Sequence, residues 1–198
     1  MGRGFHSFRW RKLTLPGILN ALLLIASAAS LSAQGTAVDL AGKPVDPLNA
    51  ASGKAVVLIF VRTDCPVSNR YAPLIQKLSE EYAQRAQFWL VYPDKKEDAE
   101  VIRQHDREYG YKIPALRDPR HALVKLSEVQ ITPEAAVFDP HGRLVYHGRI
   151  DDLYVDMARS RRAATTHELD DAIHAALNGK NLTLATKPAV GCYISDLE

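Results

Sequence analysis

Ala55-Val56-Val57-Leu58-Ile59-Phe60-Val61 is an unbroken apolar run, and Cys65-Pro66 follows four residues later. The run is rich in β-branched residues and too short for a stable helix, so it reads as a strand buried on both faces. A helix is expected from about Ser68 to Arg85, where Leu74, Leu78 and Tyr82 step by four and Ile75 joins them. Gln87–Tyr92 reads as a second buried strand. Asp94 is expected to cap a helix over 96–109 that Gly110 ends. Ala115–Arg117 reads as a short extended piece and His121–Ser127 as a short helix. Ala135–Asp139 and Arg143–Gly148 flank the turn Pro140-His141-Gly142 and read as a hairpin. Thr165-Thr166-His167-Glu168 has the spacing of a capping box. The helix after it would bury Leu169, Ile173, Ala176 and Leu177 and stop at Gly179.

The order is β-α-β-α, then a hairpin, then α. Alternation of strand and helix implies parallel strands with crossover helices, and the hairpin adds antiparallel ones. The expected fold is α/β, a mixed central β-sheet with helices on both faces.

Charge is unevenly placed. Residues 1–33 hold Arg3, Arg9, Arg11 and Lys12 and no acid, so the rest carries 21 basic against 23 acidic residues, a net of −2. That balance excludes a dedicated nucleic-acid binder, which shows a basic patch. In the leader, Leu13–Leu31 is apolar but broken by Pro16, Gly17 and Asn20, and Leu31-Ser32-Ala33 precedes Gln34 as a cleavage site. This is the order of a signal peptide over 1–33. An uncleaved anchor is the other reading, since a spanning helix needs about 20 apolar residues. Either way the remainder is expected to be exported, to the periplasm in a bacterial source, where disulfides persist. Beyond such an anchor no membrane contact is expected. Residues 34–179 suit one domain, and 180–198 form a tail carrying Cys192.

Two cysteines are too few for a disulfide-stapled framework or a Cys-rich zinc site. Cys65 stands between a buried strand and a helix, with Pro66 suited to the first helical turn. The unpaired N–H groups there favour a thiolate, so its pKa can fall below the free value of about 8.5. Arg62 and Arg70 would add to that, and Asp64 would oppose it.

Val57 through Ser68 resembles the active-site strand and turn of the thioredoxin superfamily. Pro73 matches the proline that kinks the first active-site helix. Ile131-Thr132-Pro133-Glu134-Ala135-Ala136-Val137-Phe138 resembles the cis-proline segment that faces the active cysteine, and Asp139–Arg143 the hairpin turn after it. Val91–Asp94, Tyr109–Tyr111 and Pro114–Asp118 resemble the insertion of exported TlpA-type and AhpC/TSA-type redoxins. Together these cover roughly residues 38–179. The resemblance implies a thioredoxin-like fold with Thr63, Asp64, Pro66, Ser68, Thr132 and Pro133 shaping the site around a nucleophilic Cys65. It implies protein thiols or disulfides, or a thiol reductant, as partners, and no cofactor.

The departures are specific. The second position of Cys-x-x-Cys is Ser68, and the aromatic residue usual before the first cysteine is Asp64. The paired cysteines of Sco-type copper proteins are absent. In the peroxiredoxin motif a threonine stands three residues before the cysteine, where this chain has Arg62. A thiolate can attack a disulfide or a peroxide, and either intermediate needs a second thiol. Cys192, 127 residues later on a tail expected to be mobile, is the candidate. A resolving pair, a permanent structural bridge and an unrelated thiol all stay open. Thiol–disulfide exchange is the expected activity, with thiol peroxidase and non-catalytic copper handling as alternatives. His121, His141, His147, His167 and His174 show no tight ligand spacing. Arg149-Ile150-Asp151-Asp152 reads as an exposed charged turn, Arg159–Arg162 as a solvated loop, and Asn181-Leu182-Thr183 as a lone glycosylation pattern.

Overall fold

Every residue of Ala55–Phe60 is buried, and successive side chains enter opposite cores, which sets the architecture. Ala55, Val57 and Ile59 enter one core cluster, while Val56, Leu58 and Phe60 enter another on the opposite face. A strand apolar on both faces must be covered on both. The computed structural model describes residues 1–2, 37–51, 53–179, 187–195 and 197. The chain divides into two compact units, residues 1–31 and 32–198, and every strand and helix of the described residues belongs to the second. The leader and its cleavage site, and the Asn181 pattern, lie outside the described residues.

The elements are β1 (Ala37–Asp39), β2 (Pro44–Val45), α1 (Pro47–Ala50), β3 (Ala55–Phe60), α2 (Pro66–Glu81) and β4 (Ala86–Tyr92). Next come α3 (Ala99–Tyr109), β5 (Ala115–Arg117), α4 (Ala122–Ser127), β6 (Ile131–Thr132), β7 (Glu134–Phe138) and β8 (Leu144–Gly148). The chain closes with β9 (Tyr154–Asp156), β10 (Arg159–Ser160), α5 (Glu168–Leu177) and β11 (Cys192–Tyr193). The main sheet has the order β2-β1-β5-β4-β3-β7-β8. β3, β4 and β5 run parallel, whereas β7 pairs antiparallel with both β3 and β8. One face packs Val67, Tyr71, Ile75 and Leu78 of α2, Ile102 of α3, and Leu169 and Ile173 of α5. The other packs Leu123 and Val124 of α4 with Ile194 from the tail. The expected mixed sheet with helices on both faces is thus the observed one.

Several local expectations are corrected. α3 is capped by Asp98, whose side chain accepts from the N–H groups of Glu100 and Val101, not by Asp94. Asp94 instead closes the turn before it, accepting from Lys96 N–H at 2.8 Å. α5 has no capping box: its N-cap is His167, and Thr165 turns to Asp152. Asp151 and Asp152 are buried, because Tyr71 and the Thr165–Thr166 amides reach them as hydrogen-bond donors. The tail over residues 187–195 is seated rather than free. Arg149 N–H donates to the Lys187 carbonyl at 3.2 Å, and Ile194 keeps only 5% of its surface exposed.

Candidate active site

Strand β3 ends against its parallel neighbour, and the chain must turn before it can cross back. Cys65 completes that turn as the N-cap of α2, with Pro66 in the first helical position and Asn69 N–H donating to the Cys65 carbonyl at 3.1 Å. Its side chain has no exposed surface. The turn is held at Thr63 from both sides. Thr63 N–H donates to Glu97 Oε1 at 2.7 Å, and Asn69 Nδ2 donates to the Thr63 carbonyl at 3.1 Å. Asn69 Oδ1 is therefore free to accept from His105 Nε2, 2.8 Å away, and His105 Nδ1 lies 2.8 Å from the Tyr92 oxygen, whose hydroxyl hydrogen goes to Asp106 Oδ1 at 2.8 Å. Burial pushes the His105 pKa down to about 4, so the ring is neutral in this role.

The charge of Asp64, next to Cys65 in the chain, is paired. The side chain is two-thirds exposed and paired with Arg62 at 2.9 Å, and Arg62 also reaches Asp94 at 3.4 Å. Glu97 is different. It is 8% exposed, and its Oε2 has no hydrogen-bond partner among the described residues. Burial pushes its pKa up, against the pull of the Thr63 N–H, and the charges of Asp94 and Asp64 push the same way.

Opposite Cys65 lies the Thr132-Pro133 bond, which is cis as the resemblance implied. The Cys65 thiol donates to the Thr132 carbonyl at 3.2 Å. The other side of that segment is taken by the tail. β11 runs antiparallel to β6 with Cys192 opposite Thr132 and Tyr193 opposite Ile131. Thr132 Oγ1 donates to the Cys192 carbonyl at 3.3 Å. This brings Cys192 to Cys65, near enough to donate to its thiolate. Both thiols are free.

The two sulfurs titrate apart. Burial raises the Cys65 pKa, but the hydroxyl and N–H of Ser68 and the thiol and N–H of Cys192 favour the anion and carry it below the ordinary value. The buried Ser68 hydroxyl has no hydrogen-bond partner among the described residues, so it is available when the thiolate forms. Cys192 is pushed up to about 11 by burial, by its hydrogen bond to Cys65 and by the negative charge there. Of the two thiols, Cys65 therefore loses its proton first, and Cys192 keeps its own to higher pH.

Thr63, Asp64, Pro66, Ser68, Thr132, Pro133 and Cys192 all lie around Cys65, and the structure adds Glu97, Asn69 and His105. A polar residue three or four positions into a helix, such as Asn69, carries no sequence mark of a partner on another helix. Among the described residues no group of three or more His, Cys, Asp or Glu side chains is placed to hold a metal ion.

A family model described as AhpC/TSA family matches residues 27–147, a stretch that includes Cys65, Thr132 and Pro133 and ends before Cys192. No curated protein matches the chain. Among solved structures, a hypothetical protein from Sinorhizobium meliloti is 25% identical with a TM-score of 0.67, over 80% of this chain and 88% of that one. An uncharacterized conserved protein from Geobacillus kaustophilus is 23% identical with a TM-score of 0.67, over 80% and 86%. A secreted Mycobacterium tuberculosis disulfide oxidoreductase homologous to E. coli DsbE is 21% identical with a TM-score of 0.54, over 72% and 96%. The fold is thioredoxin-like.

Proposed function

The chain belongs to the AhpC/TSA family, and from that premise we propose that it is a thiol–disulfide oxidoreductase in which Cys65 attacks and Cys192 resolves. The observation that carries this reading is the pairing of β11 with β6, which sets Cys192 opposite the residue whose carbonyl holds the Cys65 thiol. The Cys65 thiolate attacks one sulfur of a substrate disulfide. A Cys65–substrate disulfide forms, the substrate S–S bond breaks, and the leaving thiolate takes a proton. Cys192 then gives up its proton and attacks Cys65. The Cys65–Cys192 bond forms and the second substrate thiol leaves. The substrate is reduced by two electrons and the protein is oxidised by two. Run backwards, the same steps deliver a disulfide to a dithiol.

The two proton affinities support this order. The thiol that must attack first is the one held below its ordinary pKa, and the one that must wait is held at about 11. Once Cys65 is bonded to substrate it carries no charge. The hydrogen bond to Cys65 and the repulsion by its charge are then gone, so the Cys192 pKa falls, with burial left as the cause that still raises it. Peroxide reduction is the second reading, and the family match favours it. There the thiolate attacks a peroxide oxygen and releases an alcohol or water, and Cys192 condenses with the sulfenic acid to release water.

Residues 1–33 fit this role as a signal peptide for export, ahead of a redoxin domain over 34–179 and a tail over 180–198. No helix of the described residues is long and apolar enough to cross a membrane. Protein thiols and disulfides, or a thiol reductant, are the partners the chemistry requires. Insulin reduction with dithiothreitol as electron donor tests the reading by turbidity. The full chain is expected to accelerate precipitation and Cys65→Ser to abolish that gain. Activity that survives Cys65→Ser contradicts it. Consumption of hydrogen peroxide that depends on Cys65, without insulin reduction, selects the second reading.

A further inference from the structure

The tail is seated as an extended peptide, and each residue of it meets a different requirement. Cys192 and Tyr193 pair with Thr132 and Ile131, and Ile194 N–H donates to the Gln130 carbonyl at 2.9 Å. At Gly191 the two backbones touch: a Cβ there would lie 2.0 Å from the Thr132 carbonyl oxygen and 2.7 Å from its carbon. Those are main-chain atoms beside the site and cannot step aside. Cys192 is placed at Cys65. Tyr193 is 75% exposed, so its identity matters little. Ile194 is 5% exposed and belongs to the apolar cluster that contains Val129, Ala136 and Phe138.

Cys65 has no exposed surface with the tail in place. Cys192 of β11 lies against its sulfur, so an external polypeptide that takes that place must lift β11, which strips the Gln130 carbonyl and the β6 backbone of their partners. Another extended chain restores them. We propose that residues 191–194 occupy the strip Gln130–Thr132, a peptide-binding slot, as a resident copy of the extended segments it takes from outside, and that those segments share the tail's pattern Gly-Cys-x-aliphatic. The slot selects substrates by the same contacts that seat the tail, and the tail competes with them strand for strand. This rests on the reading of Cys65 as the exchanging thiol.

The test uses short peptides carrying the cysteine as a thiopyridyl disulfide. The Cys65 thiolate attacks the peptide sulfur, the Cys65–peptide S–S bond forms, and pyridine-2-thione is released and read by its absorbance. Full-length protein with Gly191→Val and Cys192→Ser vacates the slot and removes the resolving thiol. Full-length Cys192→Ser alone keeps the tail seated and serves as the second protein. Gly-Cys-Tyr-Ile is expected to react about tenfold or more faster than Ala-Cys-Tyr-Ile or Gly-Cys-Tyr-Asp, since an overpacked contact in the one and a charge buried among apolar groups in the other each cost that much or more. The same ranking, at lower rates, is expected with Cys192→Ser alone. Equal rates for the three peptides overturn the slot and leave the exchange reading standing. No thione release at Cys65 from any peptide, in either protein, overturns both.

Discussion

Cys192 stands directly opposite Thr132 across an antiparallel pair, and the carbonyl of Thr132 accepts the thiol hydrogen of Cys65 at 3.2 Å. One residue of the cis-proline segment thus touches both cysteines of the chain. Ser68 carries no thiol, and a strand from the far end of the sequence sets one beside Cys65.

The neighbours of the Cys65 sulfur hold its negative charge. Removing one charge-directed hydrogen bond costs about 1.5–3 kcal/mol, or roughly one pKa unit or more. Ser68→Ala and Cys192→Ala are each expected to raise the midpoint of Cys65 ionisation by about that amount. Thiolate absorbance against pH measures it. A lower pKa means more thiolate at neutral pH, so both variants also alkylate more slowly at pH 7. Midpoints equal to the native one would show that these groups do not hold the anion.

Glu97 carries a different pH dependence. Its folded pKa is raised by burial above that of the unfolded chain. Its contribution to stability is therefore fully present below the unfolded value of about 4.3 and lost as pH rises through the folded one. Glu97→Gln keeps an oxygen to accept from Thr63 N–H and removes the titration. The variant is expected to match the native protein in urea unfolding near pH 4 and to exceed it at pH 8 by about 1 kcal/mol. A variant less stable than native at pH 8 would mean that the carboxylate charge is needed where it lies.

Seating of the tail is expected to govern access to Cys65. Burial of a side chain such as Ile194 is worth about 1.5–3 kcal/mol, and aspartate at that site forfeits it and adds the cost of a buried charge. Ile194→Asp is expected to speed iodoacetamide modification of Cys65 by about tenfold or more, followed by mass spectrometry of the Cys65 peptide. An unchanged rate would mean that the tail does not cover the thiol.

Much of this was legible in residues 55–148. The run Ala55–Val61, the helix with Ile75 and Leu78, and the hairpin about Pro140-His141-Gly142 each announce themselves by local pattern. So does Cys65 at a helix start, since strand, turn and proline are adjacent. What failed locally failed where a distant group took a partner: Thr165 went to Asp152 instead of capping α5, and Asp151 was buried by Tyr71. The seating of the tail was illegible for the same reason. Gly191-Cys192-Tyr193-Ile194 is too short to show a strand period, and its partner Gln130–Thr132 is about 60 residues upstream. Only Gly191 bears a trace of the contact, and a lone glycine has many other causes.

The pairing of Cys65 with Cys192 is tested most directly by intact mass and peptide mapping of the full-length protein after one equivalent of diamide. The account predicts a monomer lighter by two hydrogens, with Cys65 and Cys192 in one linked peptide pair. A protein that keeps both thiols free, or that forms only intermolecular disulfides through Cys65, would contradict it.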